Sequence, residues 1–198
     1  MDYYWGLPDT SINFCENKYV NNKWIGEYYN TISSLFYVFV GVLFLNTRVS
    51  KLGKSLIFVG IGAFLLHMTL RVYGQMFDEI SMLVLTFDGV SHFKKMSRYW
   101  LTPIIGLYFV FHDYFIYFFV IFAIMQIYIA KKGLEVSNGK EKLFIYGYII
   151  LFIIATVCWF LDQFACKHVQ DYQMHALWHF FTSCAIGSGF MALIVRFR

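Results

Sequence analysis

Residues 143–162 read Leu-Phe-Ile-Tyr-Gly-Tyr-Ile-Ile-Leu-Phe-Ile-Ile-Ala-Thr-Val-Cys-Trp-Phe-Leu-Asp, an uncharged run closed by Asp162. Such a run leaves a chain few choices. Roughly 20 apolar residues wound as a helix match the hydrocarbon of a bilayer, where the backbone must satisfy its own hydrogen bonds. Six further stretches, at 29–46, 53–70, 78–93, 99–111, 114–130 and 173–195, are of the same kind, though some are short. The composition agrees, with 59% apolar and 14% charged residues, where a soluble domain has about half and about a quarter. Phe, Tyr and Trp make up 22% of the chain, which excludes a disordered one. A net charge of +4, carried by scattered residues, excludes a nucleic-acid binder. The expectation is an all-α integral membrane protein, a seven-transmembrane helix bundle over 29–198. A polar and aromatic segment, 1–28, precedes it and lacks the basic start and apolar run of a cleavable signal. Pro103 and Gly106 are expected to bend the fourth span.

Basic residues fix the orientation. Arg48, Lys51, Lys54, Lys94, Lys95, Arg98, Lys131, Lys132, Lys140, Lys142, Arg196 and Arg198 fall on one side, and only Lys18, Lys23, Arg71 and Lys167 on the other. Cytosolic loops attract Lys and Arg, so the N terminus is expected outside or in a lumen and the C terminus in the cytosol.

Polar side chains in such spans are expensive and mark function. His175 and His179 stand one helical turn apart on one face, the spacing by which a helix offers two nitrogens to zinc. His67 lies near the end of the second span, which the charge pattern puts at the lumenal side, together with the start of the seventh. Three imidazoles at one depth, with a fourth position left to water, form a catalytic zinc arrangement; buried, hydrogen-bonded histidines are the competing reading. Asp78 and Glu79 open the third span at the same face, either as a proton shuttle or as acids favoured by a helix N-terminus. His92, His112 and His168 read as loop or interface residues. Cys15 and Cys166 fall on the lumenal side, where an oxidising compartment permits a disulfide, whereas Cys158 and Cys184 read as packing residues within spans.

The ordered pieces Tyr4-Trp5-Gly6, Phe14-Cys15-Glu16, Glu27-Tyr28-Tyr29-Asn30-Thr31, His67-Met68-Thr69-Leu70, Asp78-Glu79 and His175-Ala176-Leu177-Trp178-His179 resemble the alkaline ceramidases over nearly the whole chain. That family comprises seven-helix zinc amidases within a superfamily that includes adiponectin and progestin receptors, and the expected location of this chain is the endoplasmic reticulum, Golgi or another endomembrane. The resemblance implies cleavage of ceramide, drawn from the bilayer, to a sphingoid base and a fatty acid. It implies zinc on His67, His175 and His179, proton transfer by Asp78, a supporting role for Glu79, and a Cys15–Cys166 tie. No obligate protein partner is implied. Two departures stand out. The family's Ser one turn before the first histidine is Ala63 here, which removes an oxyanion donor worth roughly 2.7–4 kcal/mol. Thr69, Ser81 or Thr182 could substitute, and a zinc-containing lipid-binding or receptor-like protein without turnover is the alternative function. The family's calcium positions fall on Asn13, Phe14, Glu16, Lys18 and Glu27, and an ammonium at Lys18 conflicts with calcium's need for oxygen ligands. The expectation is that Lys18 takes the ion's place, paired with Glu16 and Glu27.

Overall fold

The computed structural model describes residues 4–196, so Arg198 of the charge tally lies outside the described residues. All regular structure among them is helical. The rods are α1 (Tyr28–Ser33) and α2 (Leu35–Leu43), α3 (Ser50–Thr69), α4 (Val72–Ser91), α5 (Leu101–Phe111), α6 (Phe115–Val136), α7 (Glu141–Phe164), the short α8 (Cys166–Val169) and α9 (Met174–Arg196). Four of these, α3, α6, α7 and α9, are long and apolar enough to cross a membrane. α4 has the length of α3 but carries Asp78, Glu79 and Asp88.

The apolar distribution is that of a chain dissolved in lipid. Val110, Ile127 and Ile153 are 69%, 68% and 59% exposed. The interior holds Glu27, Asn30, Thr31 and His67, each at 0%. A second interior zone is conventional, with Leu52, Leu56, Val59, Leu85 and Phe190 packed together.

Two boundaries differ from the sequence reading. The first span is not one rod, because the helix hitches at Ser34, whose hydroxyl donates to the Thr31 carbonyl at 2.5 Å. The third begins at Val72 rather than at residue 78. Asp78 and Glu79 are therefore buried well inside α4, and the helix-terminus account of them fails. Their helix starts early because Asp9, from far away in sequence, accepts from the Val72 N–H at 2.6 Å and pairs with Arg71 at 2.8 Å. In the fourth, α5 runs uninterrupted through Gly106, and Pro103 sits in its first turn, where a missing N–H breaks no helical bond.

The segment before α1 completes the end of α3. A helix leaves its last carbonyls without partners. Here Glu27 N–H donates to His67 O at 2.9 Å, Gly26 N–H to Met68 O at 2.8 Å, and Asp9 N–H to Leu70 O at 3.1 Å. Leu70 turns the chain in the left-handed region (φ 54°), and only Leu70 and Arg71 separate α3 from α4.

Two glycines set the α3–α4 distance. A Cβ on Gly62 would come within 2.7 Å of Asp78 Cα, and one on Gly74 within 2.8 Å of Leu66 Cα. Backbone thus meets backbone at two levels of the hairpin.

Candidate metal centre

The last turn of α3 and the first two turns of α9 meet beneath the N-terminal segment. There the rings of His67, His175 and His179 lie with centroids 5.0, 5.0 and 4.6 Å apart. All three are buried, and one nitrogen from each falls within 4.8 Å of the others. His92, His112 and His168 do not join the cluster.

Hydrogen bonds to the far side of two rings dictate which nitrogen is free. His67 Nδ1 donates to Glu27 Oε2 at 2.6 Å, and its Nε2 has no protein partner. Ser33 Oγ gives its one proton to Asn30 O, so His179 Nδ1, 2.8 Å away, must be the donor to Ser33. Both rings are held with an Nε2 lone pair available, the arrangement by which an outer partner orients a metal-binding imidazole. His175 keeps an unpartnered Nδ1. Three convergent neutral imidazoles are a donor set that could bind a metal ion.

A chamber adjoins the cluster, lined by His175, His179, Asp78, Glu79, Tyr37 and Ala63 among others. Asp78 Oδ1 has no protein partner. An apolar cavity shares the walls Tyr37, Met82 and Trp178 with it. The three hydroxyls considered as substitutes at Ala63 are already committed. Thr69 donates to Leu65 O, Ser81 to Asp78 O and Thr182 to Trp178 O, at 2.7, 2.7 and 2.6 Å. Tyr37 alone among the chamber's lining residues carries a hydroxyl, which lies 2.6 Å from Thr182 Oγ1.

Phe14 covers the cluster, its ring 4.0 Å from that of His175 and 4.9 Å from that of His67. Cys15 is disulfide-bonded to Cys166, just beyond α7. Lys18 reaches inward, donating to Phe14 O and to Glu16 O at 2.9 Å and forming an ion pair with Glu27 Oε1 at 2.5 Å. The expected contact with the Glu16 carboxylate is not made. That carboxylate instead accepts from the Tyr29 and Asn30 N–H groups at 2.8 and 2.9 Å, where it caps α1. Asn13 stays apart, its carbonyl accepting from Gln163 Nε2 at 3.3 Å. Burial pushes the Glu16 carboxyl up, against the pull of those two N–H donors. Burial works the same way on Glu27, but the hydrogen bond from His67 and the Lys18 ammonium outweigh it and hold this carboxyl below its ordinary value.

Ser33, Tyr37 and the ring of Phe14 were not singled out from sequence. Ser33 could have been, since a hydroxyl within an apolar stretch needs a partner. Nothing distinguishes Tyr37 among fifteen tyrosines.

The family model described as Ceramidase matches residues 6–197. The chain belongs to the ceramidase family. Among ceramidases, it is 26% identical to the alkaline ceramidase of Arabidopsis thaliana over 91% of this chain and 81% of that protein. It is 25% identical to alkaline ceramidase 1 of Mus musculus, over 98% and 82% of the two chains. Alkaline ceramidase 3 of the same animal is 24% identical over 90% and 80%.

Proposed function

We propose that this chain is a zinc-dependent amidase that hydrolyses ceramide, taken from the bilayer, to a sphingoid base and a free fatty acid. The observation that carries the reading is the meeting of His67, His175 and His179 beside a chamber that also holds the unpartnered carboxylate oxygen of Asp78. Family membership and the names of the relatives support ceramide as the substrate.

Three neutral imidazoles suit zinc and leave a further coordination position open. Zinc held there supplies Lewis-acid polarisation of the amide carbonyl and lowers the pKa of water towards about 7. Asp78 takes a proton from the attacking water and returns it to the departing amine nitrogen. The acyl carbon gains the water oxygen as the C–N bond breaks. Glu27 and Ser33 hold two of the imidazoles in orientation. No chamber hydroxyl replaces the one Ala63 lacks, because Tyr37 gives its proton to Thr182 Oγ1 while Thr182 gives its own to Trp178 O, so stabilising the carbonyl oxygen as it gains charge would fall to the metal. The apolar cavity receives hydrocarbon chain, and Phe14 screens the cluster from above.

In this reading seven rods span the bilayer, with α1 and α2 counted together and the four-residue α8 left out, and the centre opens to the lumenal or extracellular side. The basic-residue bias and the need of a disulfide for an oxidising compartment support that orientation. Lys18 serves as a built-in cation at the position where calcium is expected, supported by its two carbonyl contacts and the Glu27 carboxylate.

Purified protein should contain about one zinc per chain and release fatty acid from ceramide, with both lost on chelation. His175→Ala should lose zinc and hydrolysis together. Unchanged turnover in that variant defeats the scheme.

A further inference from the structure

Gln126 is the one carboxamide of α6, and the chemistry above makes no use of it. It stands one turn beyond Phe122 and two beyond Phe118, both buried, and off the exposed stripe of Ile116, Val120, Ile124 and Ile127. Its side chain therefore points into the bundle, where it lines the apolar cavity that adjoins the chamber. It also lines a second apolar cavity, bounded by Ala123 and Thr156, which shares Met82, Trp159 and Trp178 with the chamber. Both apolar routes away from the imidazoles pass this residue.

Tyr148 of α7 lines the first cavity as well, and its hydroxyl donates to Gln126 Oε1. Gln126 Nε2 makes no hydrogen bond among the described residues, yet it is not one of the interior atoms that are both sealed and unpartnered. It therefore keeps surface open to the cavity. The other hydroxyls of that wall are committed. Thr86 donates to Met82 O at 2.7 Å, Thr182 to Trp178 O at 2.6 Å, and Tyr37 to Thr182 Oγ1 at 2.6 Å.

An amide hydrogen among hydrocarbon is costly until a polar partner arrives. A carboxamide can also turn over, so that Tyr148 accepts from Nε2 and Oε1 faces the cavity instead. An alcohol answers both faces, since it accepts from N–H and donates to C=O. An ether or a ketone answers only one, and a methylene neither.

The pair lies deep. A Cβ on Gly189 would come within 3.4 Å of the Tyr148 ring, and Gly189 is ten residues beyond His179 on α9. At a rise of about 1.5 Å per residue this is about 15 Å from the imidazoles, half the hydrocarbon of a bilayer. An extended chain advances roughly 1.2 Å per bond, so the reach from the reacting carbonyl is roughly twelve bonds.

We propose that Gln126, held by Tyr148, is a subsite for a hydroxyl roughly twelve carbons along one hydrocarbon chain of the lipid amide. This rests on the amidase reading and deepens it, because it extends the substrate class to lipid amides with a chain hydroxylated near its middle. Gln126 determines specificity far from the bond that breaks. A hydroxyl carried elsewhere along the chain is left unpaired between apolar walls, which a binding site penalises strongly.

The test uses the zinc-loaded full chain in detergent and two series of ceramides of equal chain length. One series carries an extra hydroxyl at carbon 6 or at carbon 12 of the acyl chain, and the other at the same positions of the sphingoid chain. In one series the wild type should favour the carbon-12 alcohol over the carbon-6 alcohol by roughly tenfold or more in kcat/KM, the scale of an unpaired buried hydroxyl. Gln126→Met keeps the length of the side chain and removes the amide, and it should shrink that ratio to about twofold or less. Binding gives a readout that needs neither turnover nor this variant. In an inactive Asp78→Asn chain, the carbon-12 alcohol should reach its half-maximal thermal shift at a concentration lower than the carbon-6 alcohol by a similar factor. A wild type that treats the two alcohols alike in both series overturns the subsite. An unchanged ratio in Gln126→Met overturns it too, and makes the Gln126–Tyr148 bond a strut between α6 and α7. A wild type that hydrolyses no ceramide overturns the amidase reading instead, and the thermal-shift arm still decides the subsite.

Discussion

At the scale of single residues, the chain Lys18–Glu27–His67 links a charge near the surface to a fully buried imidazole. Lys18 is 26% exposed at its side chain and Glu27 0%. Removing one partner of a buried ion pair leaves the other charge stranded, at a cost of roughly 3–5 kcal/mol. Lys18→Met should therefore lower the melting temperature in detergent sharply, and Lys18→Met with Glu27→Gln should recover much of the loss. The double variant should still bind zinc about ten- to a hundredfold more weakly, because the orienting carboxylate of His67 is gone. A double variant no more stable than Lys18→Met would show that the charge of Glu27 is not what Lys18 compensates. Sequence made part of this centre legible. The i, i+4 pair on α9 and the depth of His67, argued from lysines and arginines, named the three imidazoles that the fold brings together. The Glu16 carboxylate was misassigned to Lys18 because it caps a helix thirteen residues away, a contact no local pattern announces.

At the scale of elements, the α3–α4 hairpin determines where Asp78 stands. Gly62 lets the two backbones meet at Asp78 itself. A methyl group there would meet backbone at 2.7 Å, which cannot rotate out of the way. Gly62→Ala should therefore move Asp78 relative to the imidazoles and reduce turnover by about a hundredfold, the scale of a 1 Å misplacement. Zinc should remain, since no imidazole is on α4. Loss of zinc along with turnover in this variant would point to a wider collapse of the hairpin. The existence of these helices was readable from apolar runs, but their ends were not. The start of α4 depends on Asp9 and the hitch at Ser34 on hydroxyls folding back on carbonyls, and neither changes the apolar pattern.

At the scale of the molecule, polar partners hold both ends of α4. Near its C-terminal end, the buried Asp88 receives Lys51 from α3 at 3.2 Å and Arg98 at 3.0 Å. At the other end the N-terminal segment lies over the bundle, tied by Cys15–Cys166 across 151 residues of chain. Breaking that tie with Cys15→Ser and Cys166→Ser together should cost roughly 2–5 kcal/mol. It should also loosen Phe14 over the imidazoles, so that zinc dissociates faster under chelation than in the wild type. Equal zinc off-rates would assign the disulfide to stability alone. The class of fold was open to the sequence because lipid-facing apolar surface is written in composition. The roof was less so, since its sequence is polar and aperiodic and its place depends on backbone pairing with the end of α3.

The ammonium of Lys18 is part of the polypeptide, so on the reading proposed here its site is filled once per chain from the moment of folding. A soluble ion in that position comes and goes with the filling and emptying of the compartment around it. This chain would keep the outer support of His67 when free calcium is scarce, and its output would be insensitive to depletion of a calcium store.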